Sequence, residues 1–235
     1  MAAYDPSQFE RPSVTVDVVL LALFRGHLHT LLIRRSDHPF QRLWALPGGF
    51  IHMDESLGEA AARVLGAKTG LHDVYLEQLG TFGEVKRDPR TRVLSVAYYA
   101  LVDRARFEGV MVPAEDSVVA RMIISSKSEA GGPVFLESPQ KKRLHLAFDH
   151  QDIIGTALKR VRGRIDYTPV GFELLPTAFT LLDLQNVHET VLGRKLNKDS
   201  FRRRMLSNGQ IEATGEIQQD VDHRPAALYR FIRET

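Results

Sequence analysis

The chain has 235 residues, 43% hydrophobic and 26% charged, which is the composition of an ordinary globular protein. It contains no cysteine, so disulfides, thiolate metal sites and cysteine nucleophiles are excluded. The formal net charge of +2 is uneven, with a balance of −1 in residues 1–154 and of +3 in residues 155–235. The polar first residues do not resemble a signal peptide, and the longest apolar run, Val18–Phe24, is far shorter than the roughly 20 residues of a membrane span. We therefore expect a soluble, cytoplasmic protein without membrane contact.

The first half of the chain predicts a sheet with one helix. Ser56 and Glu59 have the spacing of a capping box, apolar residues recur at helical period after them, and Gly70 is a typical helix stop. A Pro-Gly-Gly break, residues 47–49, precedes this helix. The predicted strands are Val14–Phe24, Leu28–Ile33, Leu43–Leu46, Leu76–Phe82 and Val93–Val102.

The second half predicts mainly helices. Residues 113–143 are mixed, with a loop over Ser125–Pro133, and Asp149 is expected to cap a helix that continues to about Val161. Residues 167–177 contain two prolines and predict an irregular connection. Beyond it we predict helices from Thr180 to Leu192 and from Asn197 or Asp199 to about Leu206, then strands Ile211–Thr214 and Ala227–Ile232. Two helices joined by a short turn and followed by a hairpin are typical of a winged helix-turn-helix.

Residues 35–71 resemble the Nudix box and the segment that leads into it. The family pattern, G-x5-E-x7-R-E-U-x-E-E-x-G-U with U an aliphatic residue, aligns from Gly49. Six positions match in a strand–loop–helix context: Gly49, Glu55, Arg63, Leu65, Gly70 and Leu71. The resemblance implies a Nudix α/β/α sandwich with a mixed sheet.

The metal-binding positions of that pattern are altered. In Nudix hydrolases the glutamates of R-E-U-x-E-E hold a divalent metal against a pyrophosphate, and magnesium requires oxygen ligands. Here those positions are Val64, Ala67 and Lys68. Valine and alanine cannot ligate a metal, and the lysine adds positive charge. We therefore predict a degenerate Nudix domain that is not an enzyme, with no catalytic residues, no metal and no required cofactor.

A pocket without metal can still bind a diphosphate through backbone amides and basic side chains. The predicted ligand-binding residues are Arg34, Arg35, Phe40, Trp44, Gly48, Gly49, Glu55, Arg63 and Lys68. Phe40 and Trp44 are included because they can stack a base, although core packing is the alternative for both. Arg63 can instead pair with Glu55 or Glu59, and Lys68 can serve as a cation at the helix C-terminus.

The last predicted helix is basic. Phe201, Met205 and Leu206 are expected to face the core, which leaves the polar side chains to project outward as a DNA-reading surface. The predicted DNA-binding residues are Lys198, Ser200, Arg202, Arg203, Arg204 and, in the loop of the wing, Arg224. A salt bridge with Asp220 or Asp222 is the alternative for Arg224. Arginine suits bidentate contact with guanine, whereas lysine and serine more often contact phosphate.

The whole arrangement resembles one family, the Nudix-related transcription regulators of NAD metabolism called NrtR. The resemblance covers residues 146–150, 171–172, 179–181, 184–185, 188–189, 200–204, 224–226 and 228–229 beyond the box. It implies a homodimer that binds a palindromic double-stranded operator, represses genes of NAD biosynthesis or salvage, and takes ADP-ribose as a ligand that weakens DNA binding. Two departures are the erased catalytic positions and a segment 113–143 that is longer and less regular than expected.

We thus predict an α+β chain with a Nudix-like sensor over residues 1–154, a linking helix over 149–162 and a winged helix-turn-helix over 165–235. An active Nudix hydrolase of ADP-ribose-like diphosphates is the main alternative. A regulator of the same architecture that senses a sugar or another nucleotide is a second. A protein-binding winged-helix adaptor is a third, and the triple arginine of the last helix disfavours it.

Overall fold

The computed structural model describes residues 5–110, 116–124, 134–219, 222 and 224–232. The N-terminal part is built on one mixed sheet. Its strands in chain order are β1 (Ser13–Phe24), β2 (His27–Arg34), β3 (Trp44–Ala45), β4 (Gly48–Phe50), β5 (Tyr75–Phe82), β6 (Val93–Val102), β7 (Ser117–Ile124) and β8 (Val134–Glu137).

The strand order is β5-β6-β1-β2-β7-β8, with β3 paired to β2 and β4 paired to β1. Strands β1 and β6 are parallel, whereas the other pairs are antiparallel. Helix α1 (Leu57–Thr69) covers one face of this sheet, and helix α3 (His150–Arg164) covers the other. The predicted α/β/α sandwich with a mixed sheet is confirmed.

The two faces of the sheet are set by the alternation of side chains along β1. Val16, Val18 and Leu20 pack with the apolar side of α1. Val19 and Leu21 belong to the second core cluster, which includes α3. Since side chains alternate with a period of two, Asp17 lies on the α3 face of β1, and it is the one charged residue of this strand. This one carboxylate therefore enters the interface between the sheet and α3.

Helix α1 begins and ends as the sequence predicts. The Ser56 hydroxyl accepts a hydrogen bond from the Glu59 N–H at 3.3 Å, and the Glu59 carboxylate accepts one from the Ser56 N–H at 2.8 Å. Gly70 ends the helix with a φ of 72°, a left-handed conformation that favours glycine. The local capping chemistry of the Nudix helix is thus complete.

Several elements differ from the predictions. Asp149 precedes α3 but forms no capping hydrogen bond, because its carboxylate binds Arg87 instead, so the predicted cap is wrong. Strand β4 and a short helix α2 (Arg104–Glu108) were not predicted. Segment 113–143 contains β7 and β8, whereas the predicted loop over Ser125–Pro133 lies outside the described residues.

The C-terminal part has the predicted layout. A 3-10 helix over Pro169–Leu174 leads into α4 (Leu181–Leu192) and α5 (Lys198–Ser207), followed by a hairpin of β9 (Ile211–Ile217) and β10 (Ala227–Phe231). Thr180 and Asp183 form a capping box at α4, and Asn197 rather than Asp199 caps α5. Phe201 and Met205 are buried, but Leu206 is 46% exposed, so the prediction that it faces the core is wrong.

The two parts share one core, because residues of α3, α4 and the sheet belong to a single buried cluster. Leu158 and Val161 of α3 are both almost fully buried in it. Helix α3 therefore contacts both parts along its length. The domain limits at 154 and 165 remain a prediction. Within the described residues, no helix is long and apolar enough to span a bilayer.

Candidate functional site

A cleft of about 310 Å³ lies beside the start of α3. A second cleft of about 250 Å³ adjoins it, since Arg35, Asp37, Ala45, Leu46 and Gly48 line both. The first cleft also contains side chains that the sequence analysis did not single out for binding: Asp17, Arg87, Asp88, Arg90, Phe148 and His150. The second adds the predicted residues Arg34 and Lys68. The two clefts thus form one depression with cationic and aromatic side chains beside strands β1, β3 and β4.

A buried charge network forms the floor of the first cleft. The guanidinium of Arg87 has only 4% of its side chain exposed and donates two hydrogen bonds to Asp149, at 2.9 and 2.6 Å. Its Nη2 lies 3.7 Å from Asp17 Oδ2, and the Ser95 hydroxyl donates to that same carboxylate oxygen. One arginine is therefore compensated by two carboxylates from different parts of the chain.

His150, the first residue of α3, joins this network in its neutral form. Its Nδ1 accepts the backbone N–H of Leu46 at 2.9 Å, so the ring proton is on Nε2, which lies 3.6 Å from Asp17 Oδ1. Burial lowers the pKa of His150 below its usual range, although Asp17 acts in the opposite direction. The contact with Leu46 ties the start of α3 to the connection between β3 and β4.

Position 48 requires a glycine, because it lies opposite the Asp17 side chain in the pairing of β4 with β1. In the pairing of β4 with β1, the Val18 N–H donates to Pro47 O at 2.8 Å, and the Ile51 N–H donates to Val14 O at 3.2 Å. The alternation of an antiparallel ladder then bonds the Gly49 N–H to Val16 and leaves the Gly48 N–H outside this ladder. A Cβ on Gly48 would collide with the Asp17 carboxylate. Of the two predicted amides, only that of Gly48 can therefore face a ligand.

Aromatic and cationic groups meet on the other wall. The Arg35 guanidinium lies 4.7 Å from the centre of the Phe148 ring, and its Nε donates to Pro39 O at 2.9 Å. Phe40, which is 38% exposed, packs edge-on against the same ring at 4.9 Å. This arrangement offers a flat, partly apolar surface beside a fixed positive charge.

The remaining predicted ligand residues lie elsewhere. Trp44 is half-buried and packs against the core, with the Arg34 guanidinium 5.9 Å from its ring. Arg63 forms two hydrogen bonds with Glu55, at 2.7 and 2.5 Å, and a third with Phe50 O. These bonds from Arg63 lower the pKa of Glu55 to about 2. Neither Glu55 nor Arg63 lines the two clefts.

The residues at the Nudix glutamate positions do not fit a magnesium site. Val64 is buried on the sheet side of α1, whereas Ala67 and Lys68 are exposed. Glu55 is paired with Arg63, and Glu59 is occupied in the capping box. Across the described part of the chain, no group of three or more histidine or carboxylate side chains is arranged to hold a metal.

The C-terminal part carries a basic surface on α5. Lys198, Ser200, Arg202 and Arg203 are exposed, as expected for a reading helix. Arg204 is exposed too, but its Nη2 donates to Asp166 Oδ1 at 2.9 Å, so this side chain is directed toward the end of α3. Arg224 is exposed at the end of the wing loop, of which residues 220, 221 and 223 lie outside the described part.

Comparison with known proteins agrees with both halves of this description. A profile of the NrtR DNA-binding winged helix domain matches residues 171–231, and a NUDIX domain profile matches residues 13–126. The "ADPR responsive transcriptional repressor NtrR" of Acinetobacter baylyi is 38% identical over 233 residues, which covers 98% of this chain and 86% of that protein. The chain belongs to the NrtR family.

Solved structures of the NrtR family support the same conclusion. Shewanella oneidensis NrtR complexed with a 27mer DNA superimposes with a TM-score of 0.78 at 34% identity, covering 93% of each chain. The NUDIX domain of that protein complexed with ADP ribose gives a TM-score of 0.51 at 35% identity, covering 68% of this chain and 95% of that one. The prediction of a DNA-binding regulator of the NrtR family is confirmed.

The buried network generates a stability prediction. Arg87→Ala should lower the free energy of unfolding by about 3–5 kcal/mol, because it leaves Asp17 and Asp149 without their shared cation. Arg104→Ala is the matched control, since its partner Glu108 and Arg104 itself are largely exposed, and it should cost less than about 1 kcal/mol. Urea unfolding at pH 7 measures both. Equal losses would contradict a structural role for the network.

Proposed function

We propose that this protein is a cytoplasmic transcriptional repressor of NAD biosynthesis or salvage genes that responds to ADP-ribose without hydrolysing it. The observation that carries the proposal is the position of Lys68, which replaces the last glutamate of the Nudix box and lines the cleft together with Arg34 and Arg35. Where a hydrolase needs a metal cation, this chain has a cationic side chain of its own. A diphosphate can be bound there, but the ligands for a catalytic metal are missing.

The cleft has the chemistry that a nucleoside diphosphate sugar requires. The cations Arg34, Arg35 and Lys68 can neutralise the diphosphate, and the Gly48 N–H can donate to one of its oxygens. The Phe40 and Phe148 rings, which pack edge-on, add an aromatic surface against which a planar base can lie. The co-crystallised NUDIX domain of Shewanella oneidensis NrtR, which binds ADP ribose, supports this assignment.

The first test concerns catalysis. With magnesium or manganese, the purified protein should not hydrolyse ADP-ribose above the buffer rate, because three carboxylate positions of the box are lost. Phosphatase-coupled phosphate release over several hours measures this. Turnover in the ordinary enzyme range of about 1–10³ per second, abolished by Glu55→Gln, would contradict the proposal and support the hydrolase alternative.

The second test concerns DNA. We propose a homodimer that binds a palindrome with half-sites about one or two helical turns apart, because two symmetry-related reading helices require such spacing. Arg203→Ala should weaken binding to a duplex selected from a random library by roughly 1–3 kcal/mol if it reads a base. Arg104→Ala, an exposed arginine of α2 in the sensor part that is paired with Glu108, is the control and should change little. Unchanged binding when Arg202, Arg203 and Arg204 are all alanine would exclude α5 as the reader.

The third test concerns the effector. Saturating ADP-ribose should weaken operator binding by about 5- to 150-fold, the usual range of coupling between two sites. Lys68→Glu should reduce this response without altering DNA affinity in the absence of ligand, since it reverses a charge in the cleft. Lys142→Glu makes the same change at an exposed lysine outside both clefts and should respond like the wild type. A fluorescence-anisotropy titration with ADP-ribose, a sugar phosphate and NAD distinguishes this effector from the alternatives.

A further inference from the structure

Helix α3 is attached at its start to the effector cleft. Asp149 binds Arg87, and His150 accepts the Leu46 N–H, so the first turn is fixed to the floor of the cleft. The helix has 15 residues, which corresponds to a length of about 22 Å. A movement of the cleft floor is therefore passed to the far end of a single rigid element.

The far end of α3 contacts both parts of the molecule. Arg160 and Arg164 bind Glu77 on β5 of the sensor sheet. Between them, Arg162 Nε donates to the carbonyl of Val191, near the end of α4, at 2.6 Å. The last turn of α3 is thus held against the sensor sheet on one side and against the winged helix on the other.

Asp166 stands just beyond this last turn and reaches the reading helix. Its Oδ1 accepts a hydrogen bond from Arg204 Nη2 at 2.9 Å and lies 3.5 Å from His188 Nδ1. The His188 ring is buried and packs edge-on against Phe201 at 5.0 Å, one helical turn before Arg204. One carboxylate at the end of the sensor helix therefore contacts α4 and α5 together.

We propose that Asp166 is a positioning residue for DNA binding: it docks the reading helix α5 on the end of α3 through Arg204, in the orientation that fits the operator. This inference rests on the proposed function. Effector binding at the start of α3 would move its far end and weaken the contact between Asp166 and Arg204. The reading helix would then lose its fixed orientation, and operator affinity would fall.

Whether Asp166→Asn weakens or strengthens operator binding distinguishes a positioning role from simple repulsion between the carboxylate and DNA. A carboxylate near DNA repels phosphate, so its neutralisation alone would strengthen binding, most of all at low salt. A positioning role predicts the opposite. For a partly exposed ion pair, we expect Asp166→Asn to weaken operator binding by roughly two- to fivefold. In the presence of ADP-ribose the contact is already weakened, so the operator affinity of the variant should then equal that of the wild type. The loss of operator affinity that ADP-ribose causes should therefore be smaller in the variant by the same factor.

The experiment uses the full chain and a duplex that the wild-type protein selects from a random library. If no specific duplex is selected, the proposed function itself fails. If one is selected, its affinity is measured with and without ADP-ribose for the wild type, Asp166→Asn, Arg204→Gln and the double variant. Glu108→Gln, in an exposed ion pair of the sensor, is the control. Thermal unfolding and ADP-ribose affinity without DNA show whether each variant is folded and intact.

The proposal expects Asp166→Asn to weaken binding in the wild-type background and to have no measurable further effect in the Arg204→Gln background. It also expects Asp166→Glu to recover part of the lost affinity. Operator binding by Asp166→Asn that is equal to or tighter than that of the wild type would overturn it. So would an equal loss in both backgrounds, because the effect would then not pass through Arg204.

Discussion

The structure depends on the compensation of one buried arginine. Arg87 is almost completely removed from solvent, and an isolated charge in such a place is strongly unfavourable. It is tolerated because Asp17 comes from β1 and Asp149 comes from the start of α3. The same requirement that stabilises the guanidinium therefore fixes a strand, a loop and a helix to one another. The cleft lies where these three elements meet, so its floor is polar before any ligand enters, and a displacement of one element is passed to the other two.

The Nudix helix shows that folding and catalysis depend on different residues of one motif. The capping box, the glycine stop and the buried Leu65 of α1 are intact, and Val64, at an altered position, is buried as well. These features determine where the helix begins, where it ends and which face it buries. Ala67 and Lys68 lie on the exposed side, where packing does not restrict the side chain. Loss of the carboxylates at these two positions therefore has little consequence for the fold, and a cleft remains beside the helix.

Local patterns predicted most helices and strands, because capping and periodicity are short-range properties. Ser56 and Thr180 cap the helices that follow them, and Gly70 ends its helix, as expected. The floor of the cleft was not predicted, since Arg87 and Asp149 are separated by 62 residues and pair only after folding. This long-range bond also explains the wrong cap, because a charge-assisted bidentate pair is stronger than a capping bond. The one signal available was Asp17, a single carboxylate inside an apolar strand.

The three consecutive arginines of α5 show a limit of prediction from local sequence patterns. Successive residues on a helix are rotated by about 100°, so the first and last of three neighbours are about 200° apart and cannot all enter one groove. Sequence alone does not tell which of them is directed away. In the structure Arg204 forms an ion pair with Asp166, whereas Arg202 and Arg203 are exposed to solvent. Two residues of this run of like charges thus face outward, while the third connects α5 to the segment that follows α3.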